Sequence, residues 1–188
     1  GIRLFDARGR LVVDLSRSGE RDTPGDPAVS CLIEVRPGIY YLREQMAGKR
    51  EVEQSLVAAA GWRLEAYVLH SQVAIGRKNK LSESRYVSLL MNRVGEGRDS
   101  KLERVLETAR TALADGRSIL SDQLMRLLVL KFESPLAGLL GAHLLLMEAE
   151  RPDATVHQDT GLLNTVVRNL RSILGRDHPD VEAISLRC

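Results

Sequence analysis

Aromatic residues, cysteines, long apolar runs and an excess of either charge are all scarce in this chain. Phe, Trp and Tyr make up 4% of the 188 residues, which weakens any case for a base-stacking platform for single-stranded nucleic acid. Basic and acidic side chains nearly cancel, 27 against 25, for a net charge of +2. That balance builds no field to draw in DNA, RNA or an anionic membrane. The two cysteines, Cys31 and Cys188, lie far apart in sequence and neither belongs to a C-x-x-C pair. A disulfide framework is therefore not expected, and a reducing cytoplasm is the default location. The apolar run from Leu136 to Met147 is too short to cross a bilayer, and Lys131, Glu133 and Pro135 stop its extension upstream. No basic n-region with an apolar h-region opens the chain.

Catalytic signatures are also missing. There is no G-x-x-x-x-G-K-[ST] and no G-x-G-x-x-G ahead of a helix, so nothing is patterned to cradle phosphate. The four histidines are scattered without an H-x-x-x-H spacing, so no metal site is expected. No residue is assigned a catalytic, cofactor-binding or metal-binding role, and no cofactor or small-molecule ligand is expected.

What is present describes an ordinary globular protein, 44% hydrophobic and 28% charged, long enough for one large domain or two small ones. The chain opens without Met, inside a patterned segment, and reads as an excised piece of a longer protein. Residues 1–70 are patterned for strands. Ile2, Leu4 and Phe5 lead into the turn Asp6-Ala7-Arg8-Gly9, where Gly9 can take positive φ, and 11–15 form the second arm of a hairpin. Residues 16–27 read as an exposed loop. A strand is expected over 29–35, with Cys31, Ile33 and Val35 alternating against Ser30, Leu32 and Glu34. Pro37-Gly38 turns the chain into a strand over 39–43. Residues 51–60 fit a short helix as well as a strand and are assigned as strand; 62–69 is strand on its β-branched and aromatic content.

The stretch 71–81 is polar and basic, and is the expected domain boundary. From Ser82 the period is helical. Ser82 caps a helix carrying Tyr86, Leu89, Leu90 and Val94 and ended by Gly95. Ser100 and Glu103 form a capping box ahead of the stripe Leu102, Val105, Leu106, Ala109, Leu113. Ile119 to Phe132 is the next helix. Ser134 as N-cap and Pro135 at N1 then open a helix apolar on every face, which must be surrounded by other helices. Leu163 to Leu174 is another helix, and Pro179 starts a short terminal one. The expected architecture is α+β: a small antiparallel β-sandwich over 1–75, then an all-α bundle of about five helices over 80–188.

Each chemically capable residue has a structural explanation. His143, between Ala142 and Leu144, has no ligand or base partner at i±3 or i±4 and reads as a core histidine. Gly138, Gly141 and Ala142 share one face and read as a site of tight helix packing. His178-Pro179-Asp180 begins a helix, with the histidine placed to cap the preceding one. Cys31 reads as a buried small hydrophobe and Cys188 as an exposed thiol. A Cys31–His nucleophile pair has no accompanying motif.

Two portions resemble known families. Asp6-Ala7-Arg8-Gly9-Arg10-Leu11-Val12 followed by Val35-Arg36-Pro37-Gly38-Ile39-Tyr40-Tyr41-Leu42 is similar to the D-x-x-G-x-V and PG-x-Y-x-L pattern of transthyretin-like or carboxypeptidase-regulatory-like β-sandwiches. There the PG turn feeds an edge strand whose Tyr packs inward. Gly61-Trp62, the stretch from Lys131 through Leu146, and His178-Pro179-Asp180-Val181-Glu182-Ala183 resemble segments that accompany caspase-like peptidases in bacterial signalling and defence proteins. This resemblance implies a non-enzymatic accessory region whose partner is a protein or an upstream peptidase domain, as regulator, targeting region or substrate. The caspase His and Cys motifs are not here. A module that holds a transcription factor or sigma-type partner until proteolysis is the alternative, and an enzyme with an unrecognised Cys31 site is a third.

Overall fold

The computed structural model describes residues 1–21, 29–45, 51–75, 79–97, 99–119, 121–130, 134–151 and 160–188. Among them are six strands and six helices, a mixed α+β chain. It divides into two compact units, one of 1–60 with 64–89 and one of 61–63 with 90–188. No described helix is long and apolar enough to cross a membrane.

In the first unit, β1 (Ile2–Asp6) pairs antiparallel with β2 (Leu11–Asp14) and with β3 (Gly38–Gln45). β3 also pairs antiparallel with β4 (Glu51–Ala58), giving the order β2-β1-β3-β4. Thus 51–58 is strand. The hairpin between β1 and β2 turns on Asp6, whose Oδ1 accepts from the backbone N–H of Arg8 and of Arg10, both at 2.9 Å. Gly9 supplies the left-handed residue, at φ 75°. The Arg10 backbone N–H, the largest influence, and the Arg10 side chain hold the Asp6 carboxyl below its ordinary range. β2 is one residue shorter than expected, because Leu15 opens a single helical turn, α1 (Leu15–Ser18), capped by Asp14.

Period two sets the core. Leu4, Leu42 and Leu56 lie side by side in the register and are buried, with Ile2, Val13 and Tyr40 around them. Leu64 and Val68 from β5 (Trp62–Ile75) and Leu89 from β6 (Asn79–Arg93) pack against them. β5 and β6 form a separate two-stranded sheet.

Three expectations fail here. Residues 82–93 are strand, not helix, and the expected polar boundary at 71–81 is strand up to Ile75 and again from Asn79. The spacing of Tyr86, Leu89, Leu90 and Val94 fits one helical side, but pairing with β5 satisfies the backbone, and a period within one segment carries no sign of that remote partner. Residues 29–35 do not form a strand. Their recorded pairing is one antiparallel bridge, Glu20 to Ser30, and without a ladder the alternation leaves Val29, Leu32 and Ile33 exposed. Part of the expected 16–27 loop, 22–27, lies outside the described residues, as do 131–133 and 152–159.

The second unit is built on α4 (Pro135–Ala149), which packs against α2 (Ser100–Ala114), α3 (Ser121–Val129), α5 (Thr160–Leu174) and α6 (Pro179–Ser185). Leu139 and Ala142 join one core with Leu128, Leu163, Val166, Val167, Leu170, Val181 and Ile184. Ala137 and Leu144 join another with Leu102, Leu106, Ala109, Ala112 and Leu127. The expectation that helices surround α4 is met. Its N-cap is Ser134 with Pro135 at N1, as the sequence indicates, but the hydroxyl does not cap. Ser134 is fully buried, and its Oγ donates to the Met91 carbonyl at 3.3 Å. The expected Ser100–Glu103 capping box does not form, because Leu102 rather than a Glu stands at N3. Asp99, not Ser100, is the N-cap of α2, its carboxylate accepting from the N–H of Lys101 at 2.8 Å and of Leu102 at 3.3 Å.

Two outcomes test this packing. Asp99→Ala is expected to cost about 0.5–2 kcal/mol of stability and Ser100→Ala close to nothing, as read by urea unfolding. A Cβ at Gly141 would sit 2.9 Å from Leu128 Cδ2 and 3.1 Å from Leu127 Cβ. Gly141→Leu should therefore destabilise by about 1–3 kcal/mol or more through overpacking, visible as a lower denaturation midpoint.

Candidate interaction surface

His143 is exposed, which corrects its reading as a core histidine: even a helix ringed by others leaves one angle toward solvent, and the polar residue occupies it. Gly138, Gly141 and Ala142 are buried, and Gly141 faces α3, so tight packing accounts for that face. Cys31 belongs to the first unit and is half-buried in a segment without regular structure, rather than buried on a strand. His143 and His178 belong to the second unit; the side chain of His70 lies outside the described residues.

Cys188 is exposed, as expected, and its thiol donates to the Ile184 carbonyl at 3.7 Å. Partial burial pushes that thiol's pKa up against the opposing pull of Arg171, so it is a weak nucleophile. His178 is the N-cap residue of α6 without a side-chain cap bond. It is buried, and burial depresses its pKa against the pull of the Asp180 carboxylate.

Among the described residues no three His, Cys, Asp or Glu side chains are grouped to hold a metal ion. A groove of about 370 Å³ beside α2 is lined by Val105, Thr108, Ala109, Ile119, Gln123, Arg126 and Leu127. It offers no carboxylate, imidazole or thiol.

A surface with more specific chemistry lies on the first unit's four-stranded sheet, on the face opposite Leu4, Leu42 and Leu56. Strand alternation assigns Arg3 and Phe5 there, and register extends each across the sheet. Arg3 stands opposite Asp14 and Arg43, and Arg43 opposite Glu53. Phe5 stands opposite Leu11 and Tyr41, and Tyr41 opposite Ser55. A charged row therefore borders an aromatic row. The two are stitched together by Phe5, whose ring lies 4.7 Å from the Arg43 guanidinium carbon and 5.8 Å from that of Arg3. Arg43 Nε also donates to Glu53 Oε2 at 2.6 Å, with Glu51 at 3.6 Å. Phe5 and Tyr41 are half-buried. Leu11 and Val12, which together face Phe5 across an irregularity in the register, are 55% and 41% exposed.

Sequence reading missed this surface, because it grouped Phe5 with Ile2 and Leu4. Strict alternation would have placed Arg3 and Phe5 together. Their junction with Arg43, 38 residues on from Phe5, needed the register.

No family model, curated protein or solved structure matches the chain.

The two faces should respond differently to truncation. Leu4→Ala is expected to cost about 2–5 kcal/mol, whereas Phe5→Ala should lose no more than the stacking and partial burial of its ring, about 1–2 kcal/mol. Chemical unfolding of both variants, with unchanged far-ultraviolet circular dichroism, checks the assignment.

Proposed function

We propose that this chain is a non-enzymatic protein-interaction module of a larger bacterial signalling or defence protein, linked to a caspase-like peptidase as its regulator, targeting region or substrate. The link to a peptidase rests on the sequence resemblance carried by Gly61-Trp62, Lys131 through Leu146 and His178 through Ala183. The observation that carries the interaction reading is the Arg3–Phe5–Arg43 stack beside Tyr41. Aromatic and arginine side chains are the types that dominate binding energy in protein interfaces, and here they are held by the ladder at little further entropic cost.

In this reading the two sheets of the first unit make up a small β-sandwich, and α2–α6 an all-α bundle of five helices. Two unpaired thiols suit a reducing cytoplasm. The chain acts through its surface and carries no cofactor.

The test is to look for a caspase-like peptidase encoded with this chain and to measure its binding to the full chain by calorimetry. Association is expected, weakened about tenfold or more by Phe5→Ala or Arg43→Ala, the loss of one interface hot spot, and unchanged by Cys31→Ser. Absence of binding would overturn the peptidase link. Binding indifferent to both substitutions would overturn the assignment to this face.

A further inference from the structure

We propose that His178 makes the terminal helix an acid-sensitive latch, which releases α6 from the helices beneath it as pH falls. α6 closes one side of the second unit. Val181 and Ile184 are 0% and 1% exposed and pack into the core that holds Leu139 and Ala142 of α4 and Val166, Val167 and Leu170 of α5. His178 sits immediately before this helix, 5% exposed, with a buried Nδ1 that has no side-chain or neighbouring hydrogen-bonding partner among the described residues. A neutral imidazole in that position leaves one nitrogen unsatisfied, a moderate cost. An imidazolium would be a buried cation at the N-terminal end of a helix, where the free backbone N–H groups already present positive charge.

Among the described residues the neighbouring groups do not offset this. On α6 itself Asp180 is exposed, and its carboxylate and the histidine's own backbone favour the cation, but burial outweighs both. Glu182 is held bidentately by Arg171 of α5, at 2.7 and 2.6 Å. Arg168 of α5 is exposed and donates to Thr165. Arg176 and Asp177, in the turn before His178, are exposed. The first eight residues of α4, 135–142, include no titratable side chain, and His143 beyond them points to solvent. At the far end of α6 the Cys188 thiol lies near Arg171.

The folded-state pKa thus lies below the ordinary value of about 6.5 that the opened state would have. The neutral imidazole's contribution to closure is fully present above that value and is progressively lost as pH falls below it. One proton is taken up on opening, so the opening equilibrium rises by up to about tenfold per pH unit. Local rather than global release follows from the length of α6: seven residues have no helical stability apart from their packing.

The experiment is hydrogen exchange of the full chain by NMR between pH 7.5 and 5.5, corrected for intrinsic exchange. Protection of the amides of 181–184 should fall on acidification while that of Leu106 and Ala109 in α2 holds, and His178→Gln should flatten the response. A His178→Gln variant with the native pH dependence would overturn the latch, as would equal loss of protection in α2. Should that variant fail to fold, the imidazole titration of the native chain decides: a midpoint clearly below 6.5 supports the proposal, and one at or above it overturns it.

Discussion

The second unit depends on the burial of one apolar helix by four others. α4 presents apolar side chains all around its axis, so no orientation of a single neighbour could cover it. α2, α3, α5 and α6 share the task, and two cores meet across its width. Close approach is part of the same constraint. Gly141 removes the side chain that would collide with Leu127 and Leu128, letting α3 lie against the α4 backbone. The entry to α4 is buried with it, and there the Ser134 hydroxyl donates to the Met91 carbonyl instead of capping the helix.

The first unit solves a different problem. Its sheet buries one face through period two and leaves the opposite face to polar and aromatic side chains. Because the strands are rigid rulers about 4.8 Å apart, residues remote in sequence are held in line, and Arg3, Phe5 and Arg43 stack in an order set by register. Preorganised rings and guanidinium groups thus lie in line across the sheet, with the Glu53 carboxylate bound to Arg43.

Much of the fold was legible in the residues. The turn at Asp6, the strands β1 and β3 and the sequence Ser134-Pro135 opening α4 are local signals, and each is expressed where the chain wrote it. The PG turn does feed a strand whose Tyr40 packs inward and donates to the Arg36 carbonyl at 2.7 Å. That strand, however, lies between β1 and β4 rather than at an edge. Where the reading failed, the deciding partner was elsewhere. Residues 82–93 became strand because β5 was available to pair with them, and 29–35 found only one bridge. His143 and His178 exchanged roles: the histidine in the most apolar sequence faces solvent, while the one beside Pro179 and Asp180 is buried.

By itself, then, the sequence determined the local grammar of the chain: turn chemistry, helix entries and exits, the apolarity of α4, and the absence of phosphate- and metal-binding motifs. These follow from φ preferences, side-chain volume and hydrogen-bonding capacity within a few residues. Tertiary structure alone decided which strands pair, which hydroxyl caps and which bonds remotely, which histidine loses its water, and which cations stack on Phe5. Those outcomes depend on free energies shared between segments far apart in the chain, to which no short window of sequence has access.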